Sequence, residues 1–201
     1  MDPYQFDSLF YDDDHRLIAG IDEAGRGPLA GPVVASAVIL PRHLRIIGIR
    51  DSKTISQKER EYLYNKIIKE AISIGIGIST EDEIDQINIL QATILSMERA
   101  VTNLKVKPDL LIIDALRLKN IDIKQESFIK ADIKSASVGA ASIIAKVTRD
   151  RIMNNHHEKY PNYGFNKHKG YLTKKHLEAI KKYGLCPIHR KSFKIKNNML
   201  F

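Results

Sequence analysis

The fold of this chain is decided by residues 17–40, which read LIAGIDEAGRGPLAGPVVASAVIL. The segment 17–22 is short and apolar up to Asp22, and Gly25 and Gly27 follow it, which predicts a buried strand that ends at a turn. The segment 32–40 is rich in valine and is closed by Pro41, which predicts a second buried strand. A sheet therefore lies at the centre of the fold.

Outside this stretch, helical periodicity, capping boxes and short apolar runs predict the remaining elements. They are a loose or short helical lead-in over 1–15, a helix over 56–70, strands at 72–79, 110–113 and 127–131, helices over 80–104, 135–155 and 173–183, and a loop over 160–171. With 201 residues, 43% of them hydrophobic, the chain is long enough for one core. We expect a single α/β domain over 1–201 with a mixed sheet (core about 16–155) and a helical C-terminal segment (about 156–201).

The charge favours a polyanionic partner. The net charge is +8, and lysines and arginines that neutralise phosphates release counterions; a solvated basic surface is the alternative. The single cysteine, Cys186, excludes an internal disulfide and fits a reducing compartment. No apolar run approaches the roughly 18 to 20 residues of a membrane span, and the N-terminus is unlike a signal peptide. We expect a cytoplasmic protein.

Four acidic residues lie at or beside predicted strand ends: Asp22, Glu23, Asp114 and Asp132. A carboxylate there is costly to bury without a partner, although for any one of them a turn that exits into solvent is an ordinary alternative. Neighbouring strand ends lie about 4.8 Å apart, so together the four predict one anionic cluster.

Such a cluster predicts a metal site, because gathered carboxylates repel one another unless protons or cations neutralise them. Oxygen ligands without cysteine favour Mg²⁺ or Mn²⁺, and two such ions can drive phosphoryl transfer. Asp22 and Glu23 are adjacent and would point to opposite faces of an extended strand. They can share a site only if the strand bends or ends there.

The turn Gly25-Arg26-Gly27-Pro28 follows the acidic pair. Glycine allows positive φ and lets a backbone approach a ligand closely. A backbone that approaches RNA can hydrogen-bond the 2′-hydroxyl, which distinguishes RNA from DNA. A tight turn between the two strands is the simpler alternative.

Two other segments are candidate contacts for nucleic acid. Lys53 precedes a capped helix, where it could meet a phosphate or lie on a solvated surface. Residues 160–171 interleave four aromatic side chains with three basic ones. Such aromatics stack on bases or sugars, or else they pack the loop onto the core. Four lysines extend the basic surface along the last helix: Lys174, Lys175, Lys181 and Lys182.

Taken together, these motifs resemble ribonuclease HII. The matching segments, in order, are 21–33 (IDEAGRGPLAGPV), Asp51-Ser52-Lys53, Ile113-Asp114-Ala115, Lys130-Ala131-Asp132 with 137–146 (SVGAASIIAK), and His168-Lys169-Gly170-Tyr171. The resemblance runs from about 17 to 193. Five motifs in the same order are far more specific than any one of them.

The resemblance implies a ribonuclease H-like fold, with a mixed five-stranded sheet flanked by helices and a helical C-terminal extension. It implies an endoribonuclease that acts on the RNA strand of RNA–DNA hybrids and cuts 5′ to ribonucleotides embedded in DNA, leaving 3′-hydroxyl and 5′-phosphate ends. The implied catalytic residues and ligands of two Mn²⁺ or Mg²⁺ ions are Asp22, Glu23, Asp114 and Asp132. The implied substrate contacts are Gly25, Arg26 and Gly27 at the 2′-hydroxyl, Lys53, and Tyr171 against the deoxyribose that follows.

Three alternatives explain less of the sequence. Ribonuclease HIII has a related acidic site, but it usually carries an additional N-terminal domain, for which a signature that begins at residue 17 leaves no room. A nucleic-acid-binding module without catalysis gains nothing from carboxylates at its contact surface. A fold in which the aspartates are only turns leaves the order of the motifs unexplained. We therefore expect a monomeric nuclease.

Overall fold

The computed structural model describes residues 1–14, 16–49 and 55–194, and the elements below are those of this part of the chain. The strands are β1 (Ile18–Ala24), β2 (Val33–Ile39), β3 (Ser73–Ser79), β4 (Leu110–Asp114) and β5 (Lys124–Phe128). The helices are α1 (Pro3–Ser8), α2 (Gln57–Glu70), α3 (Glu81–Thr102), α4 (Ala131–Lys134), α5 (Ala136–Lys159), α6 (Phe165–His168) and α7 (Lys174–Tyr183), with a 3₁₀ turn at Pro161–Tyr163. No helix among the described residues is long and apolar enough to cross a bilayer.

The five strands form one mixed sheet in the order β3-β2-β1-β4-β5, which confirms the predicted α/β architecture. β1 is antiparallel to β2 and parallel to β4. In the parallel pair Ile21 is opposite Ile113, so the next residues, Asp22 and Asp114, lie at the same edge of the sheet. The topology therefore brings together two acidic residues that are far apart in sequence.

Helix α5 packs directly on β1. A Cβ atom at Gly20 would overlap the backbone of Ser137 and Val138, so only glycine allows this approach. The opposite face of β1 packs through Ala19 and Ile21 into a core cluster that contains Met97 of α3. The sheet is thus covered on both faces, and α5 lies beside the carboxyl end of β1.

The acidic N-terminal segment has a structural role. Asp7 of α1 accepts hydrogen bonds from the Ser137 amide at 2.9 Å and the Ser137 hydroxyl at 2.8 Å, in the first turn of α5. Phe6 and Phe10 pack against Phe128 of β5. Helix α1 therefore joins the edge strand to the helix that borders the site.

The strand predicted over 127–131 is wrong in its position. β5 covers Lys124–Phe128, Lys130 has a left-handed backbone (φ 58°), and Asp132 lies in the short helix α4. β5 is an edge strand of sequence KQESF whose residues are exposed or half-buried, so it lacks the apolar run that marks a buried strand. Asp132 is therefore a helical residue that follows the sheet.

Two other predicted elements differ in detail: the helix over 80–104 is interrupted, and the loop over 160–171 contains helical turns. Helix α3 has a non-helical residue, Asn88 (φ 66°), whose side-chain oxygen accepts from the amides of Leu90 and Gln91 and so caps the second part. The predicted loop over 160–171 contains the 3₁₀ turn and α6.

Candidate active site

Asp22 and Glu23 lie near the carboxyl end of β1 and directly precede its last residue, Ala24. Asp22 is 6% exposed and faces α5, where the hydroxyl of Ser142 hydrogen-bonds its carboxylate. Although the two residues are adjacent in an extended strand, the charge of each carboxyl group reaches its neighbours across the strand end. β1 nevertheless continues to Ala24 with both residues paired to β2, so the strand does not end at the pair as expected from the sequence for a shared site.

Burial and the charges of neighbouring carboxylates disfavour the ionised forms of Asp22 and Glu23. Burial, then the charge of Glu23 and, less strongly, that of Asp132 raise the pKa of Asp22 well above its usual range. Burial also raises the pKa of Glu23, while the charge of Arg26 lowers it and that of Asp114 raises it. A cation placed here would relieve the repulsion.

Asp114 and Asp132 complete the acidic cluster from the neighbouring elements. Asp114, the last residue of β4, accepts a hydrogen bond from the Ala131 amide at 2.9 Å through its Oδ1. This bond ties the end of β4 to the first turn of α4, where Asp132 follows and is 8% exposed. All four acidic residues predicted from the sequence therefore lie around one strand edge.

The donor set fits a hard divalent cation, although the side chains are not gathered as ligands. No three histidine, cysteine, aspartate or glutamate side chains of the described residues are placed to hold one ion together. Glu23 Oε1 is instead paired with Arg26 Nη1 at 3.2 Å, while Glu23 Oε2 is buried and has no hydrogen-bond partner among the residues that the structure describes. A buried carboxylate oxygen without a partner, among oxygen donors only, is the environment that Mg²⁺ or Mn²⁺ satisfies.

The turn at residues 25–27 forms one wall of a cleft of about 260 Å³ beside the acidic cluster. Gly25 has φ +103°, and a Cβ there would clash with the Arg149 side chain and lie 2.7 Å from the Pro32 oxygen. Arg26 and Gly27 are exposed. The cleft is also lined by Glu23, Ser142, Lys146 and Tyr171.

Tyr171 is the predicted stacking residue, and it lies at the rim of this cleft. Its side chain is 42% exposed, and its ring centroid is 5.9 Å from Lys146 Nζ and 5.8 Å from Arg149 Cζ. The other aromatics of the segment differ: Tyr163 and Phe165 are buried and stack on each other at 5.4 Å. For those two, the alternative of packing the loop onto the core is right.

A buried chain of hydrogen bonds supports the backbone of Tyr171. His176 Nδ1 lies 3.0 Å from the Tyr171 carbonyl oxygen, and His176 Nε2 lies 3.0 Å from His189 Nε2. His189 Nδ1 accepts from the Cys186 amide at 2.9 Å. Because a carbonyl only accepts, His176 donates from Nδ1 and accepts at Nε2. Burial lowers the pKa of His176 to about 4, which keeps the chain neutral.

Two outcomes remain for the predicted contacts. Lys53, with its neighbours Asp51 and Ser52, lies outside the described residues, so its role stays a prediction. The four lysines of the last helix are exposed, as a basic surface requires.

The sequence reasoning did not identify Arg149 and Arg190, which are buried beneath the turn at 25–27. Arg149 follows Ala141 and Ala145 at four-residue spacing on the buried face of α5, and a charged residue in that series was the available signal. Nothing comparable marks Arg190.

Comparison with known proteins identifies the family. The model of the family described as Ribonuclease HII matches residues 19–196. The chain belongs to the ribonuclease HII family. Ribonuclease HII of Acetivibrio thermocellus is 60% identical over 183 residues, which cover 91% of this chain and 72% of that protein. Membership of this family makes the chain a metal-dependent endoribonuclease.

Solved structures agree with this assignment. The ribonuclease H2 of Pyrococcus horikoshii has a TM-score of 0.75 and 32% identity, over 92% of this chain and 97% of its own. A ribonuclease HIII, Bst-RNase HIII in complex with Mn²⁺, has a TM-score of 0.70 but 19% identity, over 94% of this chain and 70% of its own, and so shares the fold. Of the alternatives, ribonuclease HII is the one that the comparisons support.

Proposed function

We propose that this ribonuclease HII chain acts as one domain that hydrolyses the RNA strand of RNA–DNA hybrids and cuts 5′ to ribonucleotides embedded in DNA. The observation that carries the proposal is one cleft that borders the acidic cluster through Glu23 and is lined by an exposed glycine turn and an exposed tyrosine ring. A binding module without catalysis would have no use for buried carboxylates that repel one another beside its contact surface.

We assign metal binding to Asp22, Glu23, Asp114 and Asp132. Two divalent cations, Mg²⁺ or Mn²⁺, would supply activation of the attacking water and neutralisation of the leaving oxygen. Glu23 could serve as a ligand through Oε2, because its ion pair with Arg26, at 3.2 Å, uses only Oε1. Ser142, which hydrogen-bonds Asp22, holds that carboxylate in place.

The protein's own groups would orient the substrate. The exposed turn at 25–27 would receive the 2′-hydroxyl of the ribonucleotide, and the ring of Tyr171 would stack on the deoxyribose that follows. Lys146, which lines the cleft, and the lysines of α7 would bind phosphates. Water would then attack the phosphorus on the 5′ side of the ribonucleotide, and breakage of the P–O3′ bond would leave a 3′-hydroxyl and a 5′-phosphate.

The proposal is tested with a duplex that holds one ribonucleotide in a DNA strand, incubated with Mg²⁺, with Mn²⁺ and with EDTA. The same duplex made of DNA alone is the control. We expect cutting 5′ to the ribonucleotide in the presence of metal only, with the control intact, and products that DNA ligase can rejoin. Binding without cutting in either metal would favour the binding module.

A further inference from the structure

Two arginines lie buried beneath the turn of the cleft, where their charge needs an explanation. Arg149 of α5 is 0% exposed and Arg190 is 2% exposed. Neither forms an ion pair with a carboxylate within the described ranges. A buried charge is costly unless its donors are satisfied, so the partners of the two guanidinium groups indicate what the groups do.

Among the described residues, every hydrogen-bond acceptor of the Arg190 guanidinium group is a backbone carbonyl of the turn or its flank. The guanidinium also lies over the Phe193 ring, 5.0 Å from its centroid. Nη2 donates to the Gly25 oxygen, Nη1 to the Arg26 oxygen at 2.9 Å, and Nε to the Gly31 oxygen at 2.9 Å. The three acceptors lie more than 150 residues away in sequence, and the planar fork of arginine holds them in one fixed arrangement.

Arg149 holds the flank of the same turn. It donates from Nε to the Pro32 oxygen at 2.9 Å and from Nη2 to the Ala30 oxygen at 3.1 Å. Its Nη1 donates to the Lys169 oxygen at 3.1 Å. Because Lys169 is two residues before Tyr171, Arg149 joins the turn to the segment that carries the exposed ring.

The carbonyls that Arg190 holds determine where the adjacent amides point. In a planar trans peptide, the carbonyl oxygen and the following amide hydrogen point in opposite directions. Since Arg190 binds the oxygens of residues 25 and 26, the N–H groups of Arg26 and Gly27 point away from it. Both residues are exposed and line the cleft, and neither amide has a hydrogen-bond partner in the part of the chain that the structure describes.

We infer that Arg190 is a positioning residue for ribonucleotide selection. By binding the two carbonyls, it directs the amides of Arg26 and Gly27 into the cleft, where an oxygen of the sugar can accept from them. The inference rests on the proposed function, because it concerns the substrate preference of the same cleft. Within the described part of the chain Arg190 forms no hydrogen bond or ion pair with the acidic cluster, so its proposed effect on the substrate is transmitted by the turn.

The segment that carries Arg190 is itself held in place. The Arg190 amide donates to the Leu29 oxygen at 2.9 Å, and the Gly31 amide donates to the Ile188 oxygen at 2.9 Å. Farther along, Asp85 of α3 accepts from the amides of Lys191 and Ser192, each at 2.9 Å. Asp85 therefore offers a way to loosen the segment from outside the cleft.

The principal test is Arg190→Lys, which keeps the charge and loses the fork. In EDTA, dissociation constants are measured for a duplex with one ribonucleotide and for the same duplex in DNA alone, and the readout is their ratio. We expect the preference for the ribonucleotide to fall by about tenfold, the factor that corresponds to one lost hydrogen bond. The control Arg99→Lys alters an arginine paired with Glu83 on α3 and should leave the ratio unchanged.

The second variant, Asp85→Asn, loosens the segment with little risk to folding, and we expect the ratio to fall by about twofold to threefold. If circular dichroism shows that Arg190→Lys is unfolded, the binding ratio of Asp85→Asn tests the inference in its place. A wild-type ratio of one, or an unchanged ratio in the folded variants, would overturn the inference. A parallel loss of affinity for both duplexes would also overturn it, since a merely structural role predicts that result. Cutting by the wild type in Mg²⁺ is measured alongside, so failure of the proposed function is seen separately.

Discussion

The two sides of the cleft satisfy their buried charges in opposite ways. On the acidic side, Asp22 and Glu23 repel each other, and Glu23 Oε2 has no hydrogen-bond partner within the described residues. On the basic side, Arg149 and Arg190 are buried as deeply, yet their guanidinium groups donate to six backbone carbonyls. On the function proposed above, a cation would neutralise the acidic side, whereas the buried donors of the basic side are already satisfied by the protein. We therefore propose that chemistry and recognition are carried by different parts of the cleft.

The largest expected effect comes from removing one charge on the acidic side. Asp22→Asn should lower the rate of cutting by about a thousandfold, because a ligand of the catalytic cations is lost. The same change should raise the free energy of unfolding in EDTA by about 1 kcal/mol, because it removes a repelled, buried carboxylate. Cleavage assays and urea unfolding measure the two effects.

The control for that prediction is Asp122→Asn, which alters an exposed aspartate and should change neither quantity. Cutting by Asp22→Asn within tenfold of the wild type would show that the acidic side does not carry the chemistry.

The next effect tests whether the contact between Gly25 and Arg149 constrains the turn. Gly25→Ala should lower the free energy of unfolding by about 3 kcal/mol, since alanine is strained at φ +103° and its Cβ would clash with Arg149. Gly164→Ala is the matched control, because Gly164 also has positive φ (71°, in the left-handed helical region) and an added Cβ would be in ordinary contact with His168 Nε2 at 3.7 Å. Only about 1 kcal/mol is expected there. Equal losses in urea unfolding would show that contact with Arg149 does not constrain the turn.

We expect acid to destabilise the protein by protonating His176, which hydrogen-bonds the Tyr171 backbone. The pKa of His176 is about 4 in the folded protein and about 6.5 when unfolded, so between these values the unfolded chain binds the extra proton. Stability should therefore fall by about 2 kcal/mol as the pH decreases from 6.5 towards 4. Urea unfolding of the wild type and of His176→Gln across this range measures the effect. A parallel loss in both proteins would show that His176 is not responsible.

The smallest effect concerns the rim of the cleft. Tyr171→Ala should lower kcat/KM on a duplex with one ribonucleotide by about tenfold, because a stacking ring contributes about 1–3 kcal/mol. Tyr171→Phe should retain most of the activity. Tyr62→Ala, which removes another exposed tyrosine, serves as the control. Full activity of Tyr171→Ala would show that the ring does not contribute to substrate recognition.

The acidic side was the more predictable of the two. Asp22 and Asp114 each follow an apolar run, so the sequence predicts them at or beside the ends of buried strands, and the pairing of β1 with β4 brings them together. The predicted setting of Asp132 at a strand end was wrong, because the edge strand β5 is polar and does not show an apolar run. The bond from the Ala131 amide to Asp114, which places Asp132, depends on a tertiary contact.

The basic side could not be predicted in the same way. The partners of Arg149 and Arg190 are backbone carbonyls that lie more than 100 residues away, apart from that of Lys169. Every residue has a backbone carbonyl, so the sequence pattern does not indicate which carbonyls accept hydrogen bonds from a buried arginine. The burial of Tyr163 and Phe165 was open for a similar reason, since an aromatic side chain serves a core and a stacking surface equally well.

The separation of chemistry from recognition is tested most directly by the binding preference of Asp114→Asn. The dissociation constants of this variant for the ribonucleotide duplex and for the all-DNA duplex are compared in EDTA with those of the wild type, after loss of cutting has been verified in Mg²⁺. The account predicts that the preference for the ribonucleotide stays within about twofold of the wild-type value, since the carbonyl contacts of Arg190 are untouched. Loss of the preference together with the cutting would contradict it.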